Sequence, residues 1–123
     1  LYPPSDPSKV SYSATDIRGT GRNSPPLHVE SVRLSEVVRS ENRPCALLKL
    51  DIEGAEVEVI ADMLASGLLP EQVLIEFDEL SRPTLQRFRR AWRTVRALNR
   101  SGYRLFAVES LNYHFIRASV REA

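Results

Sequence analysis

Two short apolar runs with a helical stretch between them constrain this chain more than any other feature. Ala46-Leu47-Leu48-Lys49-Leu50 follows Pro44 and gives way to Asp51-Ile52-Glu53-Gly54, and Val73-Leu74-Ile75-Glu76-Phe77 is the second run. Nearly continuous apolar runs of this length suit strands buried on both faces. Residues 55–66 carry Val57, Ile60, Ala61 and Leu64 at helical spacing, with Gly67 as the stop. Strand, helix, strand in this order predicts a parallel pair joined by a crossover helix.

The flanking segments extend the pattern. Residues 83–100 read as the longest helix, capped by Thr84 or Ser81, with Leu85, Phe88, Trp92 and Val95 forming one core-facing stripe. Gly102 supplies the C-terminal turn. Residues 104–108 and 113–116 read as strands, and the link Glu109-Ser110-Leu111-Asn112 is short enough for an antiparallel hairpin. Upstream, residues 1–27 are rich in Pro, Ser and Gly and read as loop or extended chain. Leu27, Val29, Val32 and Leu34 alternate weakly and predict a short strand. Ser35 then reads as the N-cap of a short helix that Pro44 ends. The fold class expected is α/β, with parallel strands closed by a C-terminal antiparallel hairpin.

Composition excludes several functions. With 123 residues the chain suits one small domain or part of a larger one. It begins at Leu1, so it is expected to be cut from something longer. A net charge of +1 and the lack of a basic-aromatic pattern argue against nucleic acid. No apolar run approaches about 18 residues, so no integral membrane segment is expected. The N-terminus lacks the pattern of a signal peptide, and a cytoplasmic location is the default expectation. Cys45 is the only cysteine and reads as a small buried hydrophobe. Only His28 and His114 could join it on a metal, and neither is near it in sequence, so no metal site is expected. Arg89, Arg93, Arg96 and Arg100 share one helix face, which reads as solvated surface.

The chemistry concentrates where the first apolar run ends. In open parallel sheets, ligands bind at the carboxyl ends of strands. Asp51 sits at such an end, Glu53 lies in the turn, Glu56 falls in the first helical turn, and Glu76 sits near the end of the next strand. Neighbouring parallel strands would bring Asp51 and Glu76 into one crevice. Such carboxylates can take a proton from a hydroxyl, hold a divalent cation or hydrogen-bond sugar hydroxyls. The structural alternative is that Asp51 caps the helix and Glu56 favours its N-terminus. Lys49 needs a partner for its charge, and Glu76 is the expected one. His114 lies between Tyr113 and Phe115, which read as structural, and faces the other way, as a base or as a satisfied surface histidine.

Lys49-Leu50-Asp51-Ile52-Glu53-Gly54-Ala55-Glu56 resembles the signature of FkbM-type methyltransferases. Further segments resemble that family in the same order: residues 1–7 with 10–13, Arg33-Leu34-Ser35-Glu36-Val37, residues 68–77, Gly102-Tyr103-Arg104-Leu105-Phe106 and residues 112–117. The likeness therefore covers nearly the whole chain. Phe77-Asp78 departs from one branch of the family, where His often follows the Phe. The resemblance implies a Rossmann-like sheet of order 3-2-1-4-5-7-6 and methyl transfer from S-adenosylmethionine, usually to a hydroxyl of a small molecule or sugar. Asp51, Glu53, Glu56 and Glu76 become the candidate catalytic residues, with Asp51 the first choice for contact with the reacting groups.

The family also carries an earlier strand with a glycine-rich turn that holds the cofactor. Here the early glycines, Gly19 and Gly21, lie in a polar loop with no apolar strand before it. The chain is therefore expected to be the C-terminal half of a methyltransferase domain, lacking the cofactor-binding half and inactive alone. The strand at 46–50 would become an open edge and the helices would cover mainly one sheet face, which favours a homodimer through that edge. The alternative is a non-catalytic remnant that serves as an interaction or dimerisation module.

Overall fold

The computed structural model describes residues 1–2, 12 and 25–118. Its elements are α1 (Leu34–Ser40), β1 (Leu47–Leu50), α2 (Glu56–Ala65), β2 (Gln72–Glu76), a 3-10 turn at Asp78–Leu80, α3 (Leu85–Arg100), β3 (Tyr103–Glu109) and β4 (Asn112–Arg117). The apolar run between Pro44 and Asp51 forms β1 and pairs in parallel with β2, Leu48 beside Val73 and Leu50 beside Ile75. β2 then pairs antiparallel with β4, and β4 with β3, so the four-stranded sheet has the order β1-β2-β4-β3. The hairpin turn places Ser110 at φ 55. A bulge between Leu105 and Ala107 inserts Phe106 into β3. The expected α/β architecture, with a parallel pair closed by an antiparallel hairpin, is present.

One face of the sheet holds the core. Leu48, Leu50, Val73, Ile75 and Phe115 project from it and meet Ile60 and Met63 of α2 and Ala91 and Leu98 of α3. Tyr103 is buried in the same cluster and its hydroxyl donates to the Pro70 carbonyl at 2.6 Å; burial pushes its pKa up to about 12. Phe77 meets Tyr113 edge-on, with ring centroids 5.1 Å apart. Gly67 ends α2 at φ 71 and Gly102 ends α3 at φ 89, conformations that glycine adopts without the Cβ penalty. Thr84 caps α3, its hydroxyl accepting from Arg87 N at 3.2 Å.

Several expectations need correction. No strand forms over residues 27–34. The backbone there has no ladder beyond a pairing of Leu27 with Leu1. Ser35 does not cap α1; Arg33 holds that position, and the Ser35 hydroxyl, buried inside the helix, donates to Asp62 of α2 at 3.0 Å. β1 is not buried on both faces, because Leu48 and Leu50 enter the core while Leu47 and Lys49 stay exposed. Cys45 is half-buried against the core and has no disulfide. The loop expected over residues 1–27, with Gly19 and Gly21, lies largely outside the described residues.

The stripe on α3 is the largest correction. Leu85, Phe88 and Trp92 are 67%, 54% and 53% exposed, while Leu98 is fully buried. α3 turns its narrower face of Ala91, Thr94 and Leu98 into the core. The aromatic stripe instead overhangs β3, the last strand of the sheet, where only the sheet edge is left to cover it. Phe88, Trp92 and Val95 there line an open apolar slot with Leu105 and Tyr113. The arginine face is as expected: Arg89, Arg93, Arg96 and Arg100 are all exposed. Leu98→Ala is therefore expected to cost about 2–5 kcal/mol in urea unfolding followed by circular dichroism. Trp92→Ala should cost less than half of that, and an equal loss would show that the stripe is core after all.

Candidate functional site

The β1–α2 turn is built around one carboxylate. After β1, Glu53 has φ 56 and Gly54 has φ 102, so the amides curl toward one point. Glu56, the first residue of α2, fills that point. Its Oε1 accepts from Ile52 N at 3.1 Å and from Gly54 N at 3.2 Å, and Oε2 accepts from Gly54 N at 3.1 Å. The side chain is fully buried. Burial pushes the carboxyl above the ordinary glutamate range. The amide donors oppose this, and the nearby Glu79 adds to the rise.

Glu79 is the second buried acid. It sits in the 3-10 turn after β2, where burial raises its carboxyl and the Arg90 guanidinium, 3.8 Å from Oε1, opposes the rise. Arg90 also pairs with Glu58 of α2, tying α3 to α2 over the buried acids. Asp78 Oδ2 and Glu79 Oε2 are buried without a hydrogen-bond partner. The sequence pattern singles out neither residue as a candidate. Their burial follows from the turn that folds the chain back under α3.

Asp51 and Glu76 lie on the sheet face that no described helix covers, the uncovered face, and Glu53 lies in the turn. Asp51 is exposed, and its Oδ2 lies 3.7 Å from Lys49 Nζ. Lys49 therefore pairs with Asp51 and not with Glu76, because residues two apart on a strand share a face. That alternation was visible in the sequence. The register Leu50 to Ile75, carried one residue on, sets Asp51 beside Glu76 at the carboxyl ends of the two parallel strands. Glu76 is half-buried there. Glu53 is half-buried in the turn and makes an interaction of its own. Asp51 does not cap α2; Ala55 holds the cap position, with no side-chain hydrogen bond. Asp51 and Glu76 thus stand at the carboxyl ends of neighbouring strands, while Glu56 is out of solvent.

His114 faces the same uncovered side as Leu74, its partner in the ladder. Its Nε2 lies 2.9 Å from Gln72 Oε1 and Phe106 meets it edge-on, so it is a satisfied histidine. Among the described residues no group of three or more His, Cys, Asp or Glu could hold a metal ion. No helix among them is long and apolar enough to cross a membrane.

The raised acids make stability depend on pH. A carboxyl with a folded pKa above its unfolded one binds its proton more tightly in the native state. The stability so gained is present below the ordinary glutamate pKa and is lost as pH rises through the raised values of Glu56 and Glu79. Urea unfolding should therefore show stability rising as pH falls toward the ordinary glutamate range, before general acid unfolding intervenes. Glu56→Gln should flatten this slope. It should also cost about 1–3 kcal/mol near the lower pH, where its amide group faces amide donors. An unchanged slope would show that Glu56 does not titrate in this range.

Neither the curated proteins nor the solved structures contain a significant match to this chain. The sequence model of the family described as "Methyltransferase FkbM domain" matches residues 2–105, from near the N-terminus to the middle of β3. β4 lies beyond the match, so the resemblance noted over residues 112–117 stands outside it. The match takes in the β1–α2 turn, the carboxyl ends of β1 and β2 and the whole of α3, and the chain belongs to the FkbM methyltransferase domain family.

Proposed function

We propose that this chain is the acceptor-handling, C-terminal half of a Rossmann-like O-methyltransferase domain, acting on a hydroxyl of a small molecule or sugar. The observation that carries this reading is the sheet order β1-β2-β4-β3, with one parallel pair and an antiparallel hairpin. It coincides with the 4-5-7-6 end of the sheet that the resemblance implies. Asp51 and Glu76 then stand at the strand ends where open α/β sheets bind ligands.

The family implies S-adenosylmethionine as methyl donor. The described residues do not fit that group. Its amino-acid carboxylate calls for free backbone amides at a strand-to-helix turn. In the β1–α2 turn, the amides of Ile52 and Gly54 already donate to Glu56. This supports a reading in which the cofactor-binding half lies outside the described residues and this chain handles the acceptor.

Methylation of a hydroxyl requires loss of its proton as the new O–C bond forms. Asp51 is exposed at the strand end and accepts that proton as general base. Lys49, at 3.7 Å, holds the carboxylate on the uncovered face. Glu76 beside it hydrogen-bonds the acceptor, and Glu53 lines the turn. Glu56 touches no acceptor; it is a positioning residue that holds the turn carrying Asp51.

The full gene product should transfer a labelled methyl group from S-adenosylmethionine to members of a panel of sugars and small alcohols. Asp51→Asn should lower kcat by about 10²–10⁴-fold, with the circular dichroism spectrum unchanged. Full activity of that variant would remove Asp51 from the chemistry. In a calorimeter, the 123-residue chain titrated with S-adenosylmethionine should give no saturable heat. Saturable binding would mean that the cofactor pocket lies within these residues and that the half-domain reading fails.

A further inference from the structure

α3 carries a charge pattern that its own fold leaves unanswered. The helix holds six arginines, Arg87, Arg89, Arg90, Arg93, Arg96 and Arg100, and no acidic residue. Two of them are engaged. Arg90 pairs with Glu58 and Glu79, and Arg87 donates to the Arg82 carbonyl at 3.0 Å. Arg89, Arg93, Arg96 and Arg100 are exposed and meet no acidic group among the described residues. Like charges three and four residues apart repel one another along a helix. An anionic surface outside the chain relieves that repulsion.

The exposed apolar side chains share this side of the helix. At roughly 100° per residue, Leu85, Phe88, Arg89, Trp92 and Arg96 fall within about 100° of arc. That arc is turned away from Ala91, Thr94 and Leu98 in the core, and Leu85, Phe88 and Trp92 are each more than half exposed. β3 extends the patch. Leu105 lies opposite Phe115 and Val108 opposite Tyr113, so both point to the helix side of the sheet, where they are 45% and 50% exposed. Leu105 and Tyr113 line a slot of about 180 Å³ with Phe88 and Trp92. The sheet order sets β3 at the opposite end from β1, about 14 Å away across the strands. A strand added beyond β1 therefore leaves this patch uncovered.

We infer that α3 and β3 form a docking face for an anionic membrane surface. Leu85, Phe88 and Trp92 enter the headgroup layer, and Arg89, Arg93 and Arg96 meet lipid phosphates. Helices that lie in a membrane interface combine aromatic and leucine side chains with arginines in this way. Tryptophan rings settle at headgroup depth, and the long arginine stem keeps its charge at the phosphates. That layer offers phosphate and apolar depth at every point. It suits a face where Phe88-Arg89 and Trp92-Arg93 alternate the two characters. A second copy fits badly, because a twofold contact through α3 sets its arginine rows against each other. An acidic protein would have to match carboxylates and apolar sockets one by one to the same row. The contact is peripheral and uses no residue of the acceptor site.

Trp92 is the only tryptophan of the chain, so its fluorescence reports the contact itself. The 123-residue chain should float with vesicles of equal parts phosphatidylglycerol and phosphatidylcholine. Trp92 emission should shift to the blue and be quenched by brominated acyl chains. Vesicles of phosphatidylcholine alone should bind the chain far less, and added salt should release it. Arg89→Gln/Arg96→Gln should weaken partitioning about thirtyfold, at about 1 kcal/mol for each basic residue near such a surface. Phe88→Ala should weaken it about tenfold. All three positions are exposed, and circular dichroism would verify that each variant stays folded. Absence of flotation overturns the proposal. So does flotation that leaves Trp92 unquenched, because the chain then binds through another face. Binding indifferent to the arginine pair overturns it as well. A blue shift with protein concentration alone would give the face to a second copy. A chain that ignores vesicles but takes an acidic peptide of glutamate and leucine would have a protein partner there. None of these readouts involves methyl transfer, so their failure leaves the methyltransferase reading untouched.

Discussion

The carboxylate of Glu56 holds together the part of the molecule on which the rest depends. It draws the amides of Ile52 and Gly54 onto itself and so closes the turn that ends β1 and starts α2. Glu53 sits there at positive φ, a conformation that costs a non-glycine residue about 1–3 kcal/mol. Burying a charge beside Glu79 adds a further cost. Hydrogen bonds to a charged group, worth about 1.5–3 kcal/mol each, offset these terms. The turn in turn fixes where Asp51 emerges and the angle at which α2 covers the sheet. A glutamate that reads as a catalytic candidate by its place in the signature is thus buried and bonded to the amides of its own turn.

The one-sided cover of the sheet follows from the connections. The crossover between the parallel strands carries α2 over one face of β1 and β2. α3 then packs against α2 and β3 on that same face, where Ala91, Thr94 and Leu98 meet the core. Residues of β1 and β2 that point the other way are mixed in character: Leu47, Lys49, Gln72, Leu74 and Glu76. A face with a lysine and a glutamate among leucines is neither core nor plain surface. It suits contact with something polar at one end, where Asp51 and Glu76 stand.

Much of this was legible in the sequence because it rests on local pattern. The two apolar runs, the glycines at the helix ends, the Thr84 cap and the short hairpin link each carry their own signal, and all formed where expected. What failed depended on which neighbours exist. The stripe of Leu85, Phe88, Trp92 and Val95 has the period of a core face, but periodicity cannot say that the sheet ends beneath it. Lys49 among leucines reads as a buried strand with one misfit, yet the alternation Leu48-Lys49-Leu50-Asp51 already held the answer. Lys49 and Asp51 share a face, and that face is open. Of the four acidic candidates, position along the chain gave the strand ends correctly and gave nothing about burial, which separates Asp51 from Glu56.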